Sequence, residues 1–203
     1  MRSARGLPVT IGYVSAVGLV AAASRLLGPP ARARLASGAS THLGHLRRRP
    51  HVVLPASAFV LAEPLHAVLL APLALAMATV ERRRGSGQTA AILALGHLGA
   101  TGLVAAGLSA GISLGWVDAA RGEEVDVGVS YGGLAVAAVA LADVPRGRQA
   151  GRAVTVALAT VWLLHREPVD AGHLAAWLLG GAALSAGGPP DRGGPRATRR
   201  RGC

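Results

Sequence analysis

The sequence predicts an all-α polytopic membrane protein, a bundle of six transmembrane helices with a short central fourth helix. Three observations carry that expectation. Of the 203 residues, 51% are hydrophobic and 15% charged, whereas soluble domains carry charge at roughly a quarter of their positions. The apolar residues fall in long runs: residues 7–27 contain one charge, Arg25, and residues 89–117 contain none. Arginine clusters at 82–84, 146–152 and 196–201 lie beyond the ends of such runs, where they anchor helices and bias topology.

Crossing a hydrocarbon core of about 30 Å takes roughly 20 helical residues. The first span is expected over 7–27. A Gly-, Ala- and Arg-rich connector follows over 28–51, and Leu35, Leu43 and Leu46 among its basic residues predict interfacial helix. The apolar region 52–80 divides into a lead-in to about 63 and a second span over 65–80, closed by Glu81-Arg82-Arg83-Arg84-Gly85. The third span lies within 89–114. Residues 116–126 are the most acidic part of the chain and belong outside the hydrocarbon. The fourth span, 129–142, gives only about 20 Å of helix, so its start must sink below the surface. Asp143-Val144-Pro145 ends it. The fifth span is expected over 153–165 and the sixth over 171–187. Residues 1–190 thus form one transmembrane domain, and 191–203 read as a disordered basic tail.

An even number of spans puts both termini on one side. With that side cytoplasmic, it holds Arg2, Arg5, Arg82–Arg84, Arg146, Arg148, Arg152 and the tail arginines. The other side holds Arg32, Arg34, Arg47–Arg49, Arg121 and Arg166, so the arginine count favours cytoplasmic termini in a plasma membrane. The formal net charge of +11 comes with 21 basic residues, all arginine. Their place at span ends argues against nucleic-acid binding. Arg2 and Arg5 before an apolar stretch imitate a signal peptide, but the run is too long and more spans follow, so it reads as a retained first helix. The one cysteine, Cys203, has no partner for an internal disulfide.

Gly172, Ala176 and Gly180, spaced by four, form a smooth helix face, and Gly128 and Gly132 form another. Such faces let backbones approach closely in lipid. Polar groups inside spans are candidate functional sites: Glu63, His66, His97, Ser130 and His173. Ser130 opens the short fourth helix and His173 opens the sixth, at matching depth. A serine hydroxyl becomes a nucleophile when a base within about 3 Å takes its proton, and imidazole can return that proton to a leaving amine. Ser130 can equally serve as a helix cap, and His173 can bond to Asp170 or to lipid headgroups. An interhelical bond to a carbonyl is the ordinary fate of His97. The seven histidines are scattered; His42 and His45 form the close pair, joined by no carboxylate, so no metal and no cofactor are expected.

In the order of these motifs, residues 50–182 resemble the rhomboid intramembrane serine proteases and their relatives in high-GC bacteria. The second span carries PLHAVLLAPLALAMATVERRRGSG, with His66, Glu81, Arg82 and Gly85 at motif positions. Gly128-Val129-Ser130 matches the Gly-x-Ser nucleophile motif, and His173-Leu174-Ala175-Ala176 the opening of the sixth helix. The resemblance implies a Ser130–His173 dyad, with His66 and the Ser130 backbone N–H holding the oxyanion. It implies single-span membrane proteins as substrates, in the lipid bilayer. Three departures stand beside it. The family's Asn four residues after His66 is Leu70, the residue after the serine is Tyr131, and the connector has no Trp-Arg pair. The alternative is a catalytically inactive rhomboid-like protein that binds client transmembrane helices. A small transporter resting on His97 and Glu63 would need a continuous polar path, which the apolar fifth span makes hard to build.

Overall fold

The computed structural model describes the backbone of residues 6–61 and 63–186, with side chains except those of residues 64–66, 185 and 186. Among the described residues the fold is all-helical. Helix α1 spans Pro8–Leu26, the connector folds into α2 (Pro29–Ala39) and α3 (Leu43–Arg48), and α4 (Pro50–Ser57) runs from its end into the lead-in. A 3₁₀ segment, Pro64–Leu69, leads into α5 (Leu70–Arg84), and α6 runs over Ser86–Ser113. After a 3₁₀ turn at Ala119–Glu123 come α7 (Ser130–Ala142), α8 (Gly147–His165) and α9 (Pro168–Ala186). The expected basic tail, 191–203, lies outside the described residues.

Two helices, α1 and the 28-residue α6, are long and apolar enough to cross a membrane by length and composition. The fourth helix is short as expected, at 13 residues. The fifth differs: α8 begins at Gly147, so Arg148 and Arg152 stand in its first turns and not in a loop before it. Proline at the first position starts α1, α2, α4 and α9, where its missing N–H costs nothing.

Helix α7 is the axis of the bundle, packed against α5, α6, α8 and α9, most extensively against α6 and α9. Its Ala135, Val136 and Val139 are fully buried beside Val17 of α1 and Met77 and Val80 of α5. Large apolar side chains also cover the outside: Leu19, Leu75 and Leu164 are each at least 70% exposed. Water would penalise that many exposed leucines, whereas lipid does not.

The first turn of α1 has no side-chain cap of its own. Its free N–H groups are met from across the bundle by Glu81, which is 1% exposed. Val9 N–H donates to Glu81 Oε1 at 3.0 Å and Thr10 N–H to Oε2 at 2.8 Å. The hydroxyls of Thr10 and Ser86 add bonds at 2.7 and 2.6 Å. One carboxylate therefore caps α1 while holding it to the junction of α5 and α6. At the same junction Arg84 forms a two-pronged ion pair with Asp143, at 2.8 and 3.0 Å, tying the ends of α5 and α7 together.

Replacing Glu81 leaves several buried donors without acceptors. E81A is expected to destabilise the protein by about 2–4 kcal/mol, whereas R82A, at an exposed neighbour, shifts stability by less than about 0.5 kcal/mol. Thermal unfolding of both variants in detergent checks this; equal melting temperatures would remove Glu81 from its role as cross-bundle cap.

Candidate active site

Ser130 is the first residue of α7, and the segment leading to it is held by the connector. Thr41 donates its N–H to the Asp126 carbonyl at 2.9 Å, and its hydroxyl lies 3.0 Å from that carbonyl and 3.1 Å from Asp126 Oδ2. Asp126 N–H donates to the Ser40 hydroxyl at 3.0 Å, and Gly128 N–H to the Ser57 carbonyl at 3.1 Å. Gly128 adopts φ 150°, a conformation that L side chains rarely take, immediately before the helix turns up into Ser130.

His173 lies in the second turn of α9. Its Nε2 is 3.0 Å from Ser130 Oγ, and both residues are partly exposed. Within that distance the hydroxyl can pass its proton to the ring. Tyr131 packs against the imidazole in a T-shaped arrangement, with ring centroids 5.5 Å apart and planes at 74°. It fits there because residue 172 is glycine: a Cβ at Gly172 would lie 2.4 Å from the Tyr131 hydroxyl. The aromatic ring at the position after the serine therefore buttresses the histidine. The first N–H groups of α7, Ser130 included, have no intrahelical acceptor and lie at the positive end of the helix dipole.

A small polar cavity of about 30 Å³ adjoins Ser130, lined among others by Thr41, Ser57, His97, Thr101, Asp126 and Tyr131. His97 Nδ1, Thr101 Oγ1 and the Tyr131 hydroxyl are buried without hydrogen-bond partners among the described residues. His97 Nε2 lies 2.9 Å from the Leu54 carbonyl and 3.0 Å from Ser57 Oγ, so it makes the interhelical carbonyl bond expected of it. The volume suits one or two waters, which could satisfy the remaining groups.

Of the three expected site residues, Ser130 and His173 come together. The backbone of His66 belongs to the 3₁₀ segment, and its side chain lies outside the described residues. Leu70 opens α5 and packs against the apolar core, so the position of the family's amide offers no donor. Glu63 is exposed. The His42–His45 pair is corrected: Glu123 from the 3₁₀ turn reaches His42 Nδ1 at 3.1 Å, although no carboxylate adjoins the pair in sequence. His42 and His45 stack with centroids 3.8 Å apart. Among the described residues no group of three such side chains could hold a metal ion. Asp126, Thr41 and Thr101 were missed by sequence reasoning, since no spacing links residues that come from three separate elements.

The family model described as rhomboid-like protein matches residues 1–187 of the chain. Comparison with curated proteins and with solved structures found no match.

Burial raises the Asp126 carboxyl above its usual range, only partly offset by the Thr41 hydroxyl and by the facing His97 and His173. For an acid held this way the native state binds the proton more tightly than the unfolded chain. Its stability contribution is full below the ordinary carboxylate pKa and is lost as pH rises through the raised one. D126N keeps an acceptor for Thr41 and carries no charge. It is expected to melt above the wild type at about pH 7.5, with the gap closing toward about pH 4. A gap that widens on acidification would contradict the assignment.

Proposed function

Because the chain belongs to the rhomboid-like family and is a membrane protein, we propose that it is an intramembrane serine endopeptidase. The single observation that carries this reading is the 3.0 Å contact between Ser130 Oγ and His173 Nε2 at the mouths of two packed helices. In this reading α1, α5 with its 3₁₀ lead-in, α6, α7, α8 and α9 are six spans of the plasma membrane, with both termini cytoplasmic. At about 1.5 Å per residue, α7 falls roughly 10 Å short of the hydrocarbon thickness. Ser130 then starts below the outer surface, roofed by the connector and by residues 116–128.

The substrate is a single-span membrane protein whose helix unwinds near its outer end, since an intact helix hides its peptide bonds. Ser130 Oγ attacks the carbonyl carbon while its proton passes to His173 Nε2. The tetrahedral oxyanion lies against the free N–H of Ser130 at the helix N-terminus, and on the family pattern against His66. Collapse breaks the C–N bond, and the proton moves from His173 to the departing amine. Water then attacks the acyl ester, giving its proton to His173, and Ser130 recovers its hydroxyl as the acid leaves.

Leu70 favours a second reading. Loss of a comparable oxyanion donor costs about 2.7–4 kcal/mol in a serine protease, enough to slow turnover by roughly a hundredfold or more. The same scaffold without turnover would bind client transmembrane helices. A fluorophosphonate probe separates the two. The proteolytic reading expects labelling of folded protein in detergent and its abolition in S130A. Folded wild type that resists the probe, with client capture unchanged in S130A and H173A, would establish the binding protein instead.

A further inference from the structure

We propose that Asp170 is a positioning residue for the site, holding the His173 ring in the form that can accept the Ser130 proton; this rests on the proteolytic reading above. The two ring nitrogens face different partners. Nε2 lies 3.0 Å from Ser130 Oγ, while Nδ1 lies 3.9 Å from Asp170 Oδ1, three residues earlier on the same helix. The Asp170 side chain is 14% exposed, and its other oxygen, Oδ2, is 3.1 Å from His165 Nδ1 at the end of α8. The corner between α8 and α9 thus carries a chain running from His165 through Asp170 and His173 to Ser130.

A neutral imidazole has one N–H. With the proton on Nε2, that nitrogen donates to Ser130 and has no lone pair to receive its hydrogen. With the proton on Nδ1, it is a base toward Ser130. A carboxylate beside Nδ1 favours the second form and stabilises the imidazolium that follows proton transfer. At 3.9 Å the contact is an ion-pair distance, longer than a hydrogen bond. Contacts of this kind tighten when substrate is bound. Asp170 gains no proton in the cycle; the proton moves only between Ser130, His173, the amine and water.

The surroundings favour this orientation. Tyr131 of α7 packs against the ring in a T-shaped arrangement and limits its rotation. The charged and titratable groups facing His173 are Asp170 on its own helix, Tyr131 on α7, and Asp126 from the segment before α7. His165 acts only through Asp170.

The test compares full-length wild type, S130A, D170N, D170E and H165A in detergent. It reads the rate of fluorophosphonate labelling, the melting temperature, and the imidazole ¹⁵N spectrum with His173 assigned from H173Q. Expected are labelling slowed about tenfold or more in D170N at an unchanged melting temperature, partial rescue in D170E, and a smaller loss in H165A. His173 should carry its proton on Nδ1 in wild type and shift toward Nε2–H in D170N. D170N that labels at the wild-type rate with its His173 spectrum unchanged overturns the proposal and leaves the dyad standing. Wild type that never labels overturns the proteolytic reading, and the nitrogen spectrum then decides alone: an Nε2–H ring in wild type overturns the role of Asp170. Should D170N fail to fold, the D170E rate and the wild-type spectrum decide in the same way.

Discussion

Everything at the site depends on how closely α6 and α9 approach α7. A Cβ at Gly180 would lie 2.2 Å from the Ala135 carbonyl oxygen, and one at Gly96 would lie 2.3 Å from the Ala135 Cβ. Ala135 is therefore gripped from two sides at backbone distance. In lipid no hydrophobic force drives helices together, so dispersion across such close faces must hold them. Two turns toward the N-terminal end of α9, Gly172 admits the Tyr131 ring by the same device. The Ser130–His173 distance is then a consequence of backbone packing. Larger residues along Gly172, Ala176 and Gly180 would separate the pair without touching either member.

Packing alone leaves helices free to slide, and polar contacts at both ends of the bundle remove that freedom. At one end Glu81 joins α1, α5 and α6, and Arg84 joins α5 to α7 through Asp143. At the other, Ser40, Thr41 and Ser57 hold the segment that enters Ser130. Helix α8 is less deeply packed. Gly147 is its one buried residue, and its side-chain bonds to α9 are Trp177 Nε1 to Thr155 Oγ1 at 3.0 Å and His165 Nδ1 to Asp170 Oδ2 at 3.1 Å. The helix packing that sets the site is thus that of α5, α6, α7 and α9, while Ser40, Thr41 and Ser57 hold the entry to Ser130.

Much of this was readable in the chain because lipid constrains sequence strongly. Long runs with at most one charge marked α1 and α6, and a Gly-rich opening followed by an early Asp143 marked the short α7. Four-residue spacing of small residues marked the face of α9. Ser130 and His173 stood out because polar groups inside apolar runs are costly. What remained hidden comes from tertiary geometry. That Glu81 caps α1, 71 residues away in sequence from Thr10, has no local signature. Neither has the meeting of Thr41, His97 and Asp126 around one cavity. Helix α8 starts at Gly147, ahead of the fifth span expected over 153–165, because Arg148 and Arg152 stand inside its first turns and do not mark a span end. A helix can carry them in its first turns, with their long side chains reaching toward water.

The substitutions that separate this chain from the family pattern have a common physical direction. On the proteolytic reading, Leu70 leaves the oxyanion without the family's amide donor, so stabilisation of that charge falls to the free N–H groups at the N-terminus of α7 and, on the family pattern, to His66. That loss is a few kcal/mol, against the roughly 8 kcal/mol or more that enzymatic rate enhancement represents. On the proteolytic reading the site is therefore weakened and not abolished. On the same reading Asp170, in the role proposed for it, works on the other charge of the transition state, the imidazolium on His173. A site short of help for its anion gains most from a carboxylate that favours its cation, because both charges develop in the same step. Tyr131 belongs to this arrangement: placed beside Ser130 and fitted against Gly172, it keeps the ring aligned between hydroxyl and carboxylate. On that reading the departures at 70 and 131, together with Asp170, describe one rebalanced site.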